Sequence, residues 1–153
     1  MTYFADLAPY SYSPVPGSFP KLLHVGWLEA GHAVPAGAVD AESTDRLARL
    51  CAYAKVAVTR GRYRCHLPQC PTPFATVVVD GDDIGLGAAE IWLPGPGGVW
   101  YAAPDLIYHY VTEHDYRPPD EFLVAIHSED AGKFTETEWR ALIRADRAAQ
   151  DPD

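Results

Sequence analysis

The chain has 153 residues, of which 48% are hydrophobic, a formal net charge of −9 and three cysteines. This composition excludes a wholly disordered chain. The acidity disfavours non-specific attraction to nucleic acid or an anionic membrane surface. No apolar run approaches the length of a membrane span, and three cysteines do not make a disulfide framework.

The length fits a single domain, 1–153. Its first residues, Met1-Thr2-Tyr3-Phe4-Ala5-Asp6, hold neither a basic region nor a long apolar stretch, which predicts a cytoplasmic protein without a secretory signal. Residues 1–20 carry Tyr3, Phe4, Tyr10, Tyr12 and Phe19 among Pro9, Pro14, Pro16 and Pro20. Proline at this density opposes regular structure, so the expectation is an aromatic arm packed on the body.

Lys21 to Leu28 reads as a strand interrupted by Gly26. Ser43 or Thr44 can cap a helix reaching about Ala54, with Leu47, Leu50, Cys51 and Ala54 on one face. Cys51 is therefore read as a small buried hydrophobe. Val56 to Thr59 and Phe74 to Val79 are strand candidates, and Asp80-Gly81-Asp82-Asp83 is a turn. Ala89 to Leu93 and Val99 to Ala102 flank Pro94-Gly95-Pro96-Gly97-Gly98 and predict a hairpin.

The last third is helical in pattern. Pro104 can open a helix to about His114. A second spans Asp120 to His127, and Thr135 with Glu138 forms a capping box for a third, whose buried stripe is Trp139, Leu142 and Ile143. From Arg144 the chain is polar, so residues 145–153 are expected to fray. The order predicts an α+β fold: a small antiparallel sheet with a hairpin, and helices mainly in the C-terminal third.

Four residues have the chemistry and spacing of a metal site. Cys65 and Cys70 form C-x4-C, and His109 and His114 form H-x4-H. Thiolate and imidazole are ligands that zinc prefers, and a site closed by four protein ligands is structural, with no position left for water. On a regular helix the two histidines differ by about 140°, so they converge only if the helix tightens or ends near His114. Pro118 makes an early end reasonable. The competing reading keeps His109 as a core histidine, His114 as a helix-end residue favoured by the dipole, and both cysteines as free thiols. His66, and less readily His24 or His32, could substitute as ligands.

Arg60, Arg62 and Arg64 alternate, so an extended segment would project them from one face. They could bind phosphate, carboxylate or a partner, or simply solubilise an edge strand. Gly85-Leu86-Gly87 lacks the rest of a dinucleotide fingerprint, and no serine sits in a hydrolase motif. Glu90 and Glu113 are candidate general bases, although no catalytic signature accompanies them.

Tyr3-Phe4-Ala5-Asp6-Leu7-Ala8-Pro9-Tyr10, Val25-Gly26-Trp27-Leu28 and Tyr101-Ala102-Ala103-Pro104-Asp105-Leu106-Ile107-Tyr108-His109-Tyr110-Val111 resemble segments of an uncharacterised family of small bacterial proteins. His114, Tyr116, Pro118, Pro119 and Phe122 continue the likeness. In that family the cysteine loop usually reads Arg-Gly-x-His-x-Cys-x-x-Cys. Here Tyr63 replaces the histidine, with His66 nearby, and the second cysteine falls two residues late. The resemblance implies a bacterial cytoplasmic protein and brings no activity with it.

Three functional readings follow. The first is a non-catalytic, zinc-stabilised domain binding a protein partner, with the net charge suiting a basic one; neutralising a toxin, as an immunity protein or antitoxin does, is one form of it. The second is a small enzyme acting on an anionic metabolite held by the arginines, with His109 or His114 and Glu90 as acid and base. The third is a nucleic-acid module built on the same arginines.

Overall fold

The computed structural model describes residues 2–151. The elements run β1 (Lys21–His24), α1 (Ala41–Tyr53), β2 (Thr76–Val79), β3 (Asp82–Gly85), β4 (Glu90–Pro94), β5 (Val99–Pro104), α2 (Ile107–Glu113), α3 (Asp120–Ile126) and α4 (Glu136–Gln150). The fold is α+β, with three of these four helices following the last strand.

The predicted hairpin is present as β4 and β5, antiparallel, with Trp92 opposite Ala102. β1 adds to the outer edge of β5 in parallel, so this sheet is mixed and ordered β1-β5-β4. β2 and β3 form a second hairpin where the sequence predicts a strand ending in a four-residue turn. The turn is only Asp80-Gly81, both at positive φ (53° and 83°). That is the geometry of a two-residue type I′ hairpin. Asp82 and Asp83 belong to β3, whose polar side chains hide it from a hydrophobicity pattern.

Alternation along the strands divides two aromatic and aliphatic cores. Ile91, Leu93, Tyr101 and Ala103 face a large core with Leu47, Leu86, Leu106, Ile107, Phe122 and Ile126, which α1, α2 and α3 supply in part. Leu22, Trp92 and Ala102 face the other way, covered by Tyr10, Phe19, Phe134 and Trp139. A short sheet with both faces covered explains why β4 reads as an uninterrupted buried run.

The second cover is largely the aromatic arm. Its backbone bonds to the stretch around β1, through Leu7 N–H to His24 C=O (2.7 Å) and His24 N–H to Ala8 C=O (2.8 Å). Phe4 stacks on His24 at 3.8 Å between ring centroids. Residue Met1 lies outside the described residues.

Several boundaries differ from expectation for local reasons. Asp40 caps α1, accepting the Ser43 N–H, so the cap precedes Ser43 and Thr44. Val56 makes a single bridge to Glu90 where a strand was expected, because Ala57 turns to φ 51°. Pro104 closes β5 opposite Glu90, and α2 begins only at Ile107. Thr135 and Glu138 form the capping box of α4. Trp139, Leu142 and Ile143 are half-buried, so the α4 stripe lies on the body without being enclosed by it. α4 continues through 145–150, the stretch expected to fray, and Pro152 and Asp153 lie outside the described residues.

Candidate metal centre

Cys65, Cys70, His109 and His114 converge. One ligand atom from each lies within 4.8 Å of all the others, close enough to hold a metal ion. Cys65 Sγ is 3.4 Å from His114 Nε2, and Cys70 Sγ is 3.3 Å from His109 Nε2. Cys65 and His109 are buried, while Cys70 and His114 are half-buried, so the group lies at the edge of the core.

The helix solves the angular problem by ending. His109 sits within α2, but His114 is its C-cap with φ −124° and ψ 14°. Asp115 then takes φ 52°, and Tyr116 N–H returns to Tyr110 C=O at 3.1 Å. The reversal precedes Pro118 by three residues, so a left-handed Asp115 ends the helix and proline is not the cause. Tyr116 then fixes the turn from below, its hydroxyl donating to Asp6 of the arm.

The cysteine loop has no helix or strand between Tyr53 and Thr76, yet it is firmly tied. Tyr63 N–H donates to Gly87 C=O (2.6 Å), and Cys65 N–H donates to Pro73 C=O (2.8 Å). Arg62 bridges the loop to the residues flanking the β2–β3 hairpin, donating from Nε to Leu86 C=O (3.2 Å) and from Nη2 to Ala75 C=O (2.6 Å). Gly87 is where the loop meets the residues after β3. Its φ is 107°, and a Cβ there would collide with the Tyr63 carbonyl, so only glycine fits.

Burial pushes the Cys65 thiol up to about 11; Leu67 N–H opposes the rise and the neighbouring Cys70 adds to it. A bound cation acts in the opposite sense, since a coordinating thiol is deprotonated outright. Burial lowers the pKa of His109, and the charge of His114 pushes the same way. Burial also lowers His114, against Glu113 and Asp115. Both shifts favour the neutral imidazole, the form that binds a metal.

The remaining expected residues are dispersed. His66 is exposed and packs edge-on against Tyr63. His32 stacks on Tyr3, and His24 is buried under Phe4. Arg60, Arg62 and Arg64 are exposed but do not lie along a strand, and Arg62 is committed to two carbonyls. Glu90 bonds to Tyr10 (2.9 Å) and Trp92 (3.1 Å). The cleft it lines includes neither His109 nor His114. The Tyr10–Glu90, Tyr116–Asp6 and Lys55–Asp105 (2.6 Å) pairs join residues 50 or more positions apart and left no mark in sequence spacing.

No helix among the described residues is long and apolar enough to cross a membrane. No curated protein and no solved structure matches the chain. A family profile described as "Domain of unknown function (DUF7919)" matches residues 2–127, which takes in the arm, both hairpins and all four candidate ligands. The chain belongs to that family.

Proposed function

We propose that Cys65, Cys70, His109 and His114 hold one zinc ion in a closed structural site, and that the cytoplasmic domain so stapled binds a protein partner. The observation that carries the metal reading is the pair of sulfur–nitrogen separations, 3.4 and 3.3 Å. Zinc–sulfur and zinc–nitrogen bonds of about 2.3 and 2.05 Å at tetrahedral angles set that edge at about 3.6 Å. Two thiolates and two imidazoles also form a donor set typical of zinc.

Four protein donors leave no open coordination position, which favours a structural over a catalytic ion. The separation of Glu90 from the two histidines further weakens the acid–base reading. For the partner, the support is an exposed apolar pair on and beside β2, Phe74 at 57% and Val78 at 66% exposure, together with the net charge of −9, which suits a basic surface. A basic toxin is one partner of that kind.

Elemental analysis of the purified protein tests the metal reading, with one zinc per chain as the expected result. Chelation should lower the melting temperature, because the binding energy of a structural ion is folding energy. Cys65→Ser should lower metal content and melting temperature together. Metal-free protein whose melting curve ignores chelator would sink the proposal.

A further inference from the structure

A second site lies on the arm side of the molecule. A cleft of about 290 Å³ opens there, with aromatic walls that include Tyr12, Trp27 and Tyr63, and two acidic residues, Glu90 and Asp105, in its lining. Its size is at the small end of ligand pockets. Asp105 is fully buried but compensated, with Lys55 Nζ at 2.6 Å and Gly87 N–H at 2.8 Å. Glu90 is only 5% exposed and has no such counter-charge. Its carboxylate accepts from the neutral Tyr10 hydroxyl and Trp92 indole alone, and it forms no ion pair among the described residues.

A buried carboxylate without a cation is costly. This one lies in the lining of an open cleft, within reach of what enters it. Aromatic walls suit the same charge, because a ring face attracts a cation. Arg62 also lines the cleft, yet its guanidinium is tied to Leu86 and Ala75 and lies over Phe74 at 5.9 Å, three residues that do not line it. Lys55 likewise reaches Asp105 from outside the lining.

We infer that this cleft binds a small organic cation, a primary ammonium carrying an apolar or aromatic group, with the Glu90 carboxylate as its counter-ion and the rings of Tyr12 and Tyr63 against its apolar part. The inference rests on the cleft and not on the metal centre. It is independent of the partner-binding reading.

Benzylammonium is a suitable probe, with benzyl alcohol as its neutral isostere. Both are titrated into the metal-replete protein at pH 8, followed by calorimetry and by the amide signal of Gly87 and the indole signal of Trp27. Benzylammonium should bind at least about tenfold more tightly than the alcohol, a difference of about 1.4 kcal/mol. Glu90→Gln keeps acceptors for Tyr10 and Trp92 and should remove that preference while leaving metal content unchanged. Ala88→Leu narrows the cleft without touching the carboxylate and should weaken both probes. Equal binding of the two probes to the native protein, no shift of Gly87 and Trp27 at millimolar benzylammonium, or an unchanged preference in Glu90→Gln would each overturn the assignment.

Discussion

Tyr116 donates its hydroxyl proton to Asp6, lying 2.9 Å from each carboxylate oxygen. The bond joins residues 110 positions apart and sets the aromatic arm against the turn that presents His114. Asp6 also accepts from Gly26 N–H at 3.0 Å. Burial raises the Asp6 carboxyl above its ordinary range, and the bonds from Gly26 and Tyr116 only partly oppose that. Tyr116→Phe should therefore cost about 1–3 kcal/mol, the range for losing a hydrogen bond to a charged, half-buried acceptor. Urea denaturation measures it. Because the turn beside His114 loses its tether, metal affinity should fall as well, which a competitive chelator titration reads.

The three arginines should separate in a stability assay. Arg62→Gln loses the bridge to Ala75 and Leu86 and should destabilise by about 1–2 kcal/mol. Arg60→Gln and Arg64→Gln are surface changes and should stay within about 0.5 kcal/mol. Equal effects at all three positions would show that the bridge contributes nothing.

Glu90 imposes a pH dependence with a definite sign. Burial pushes its carboxyl from 4.5 up to about 7, with Trp92 and Tyr10 opposing and Asp105 adding to the rise. The folded-state value is raised, so its contribution to stability is full below pH 4.5 and is lost as pH climbs through 7. The loss amounts to roughly 3 kcal/mol. Relative to Glu90→Gln, native protein should therefore weaken between pH 5 and 8. Comparing the two proteins at each pH cancels the separate pH response of the four candidate ligands.

Thiol labelling orders the three cysteines. Cys51 is fully buried on α1, and burial raises its pKa well above the ordinary thiol value, so it should react only in denaturant. Cys65 and Cys70 should be protected while metal is bound and become reactive on chelation. Rapid modification of Cys51 in folded protein would contradict the packing of α1.

The legible parts of the fold were those with local signatures. The β4–β5 hairpin follows from its proline and glycine turn, the Leu47/Leu50/Cys51 face from helical spacing, and the α4 start from Thr135 and Glu138. The four candidate ligands were legible as two spaced pairs, but their convergence depends on how α2 ends, and Asp115 at positive φ carries no pattern. Arg62 read as one member of an alternating row because sequence shows periodicity and not partners. Its role needs the carbonyls of Ala75 and Leu86, thirteen and 24 residues away. The β2–β3 hairpin was hidden because Asp82 and Asp83 are exposed strand residues, although Asp80-Gly81 is a strong turn signal.

The two sulfur–nitrogen pairs of the candidate metal centre span 49 and 39 residues of chain. Neither half makes a site alone: the cysteine loop takes its course from Arg62 and Gly87, and α2 is only seven residues long. An ion meets all four donors only after the loop and α2 have docked. It would then act as a removable cross-link, closing two long loops whose entropy returns to the chain when it leaves. Since that entropy grows only slowly with loop length, both closures have nearly the same worth. Release of the ion and collapse of tertiary structure should accordingly share one midpoint in denaturant, as a single cooperative event.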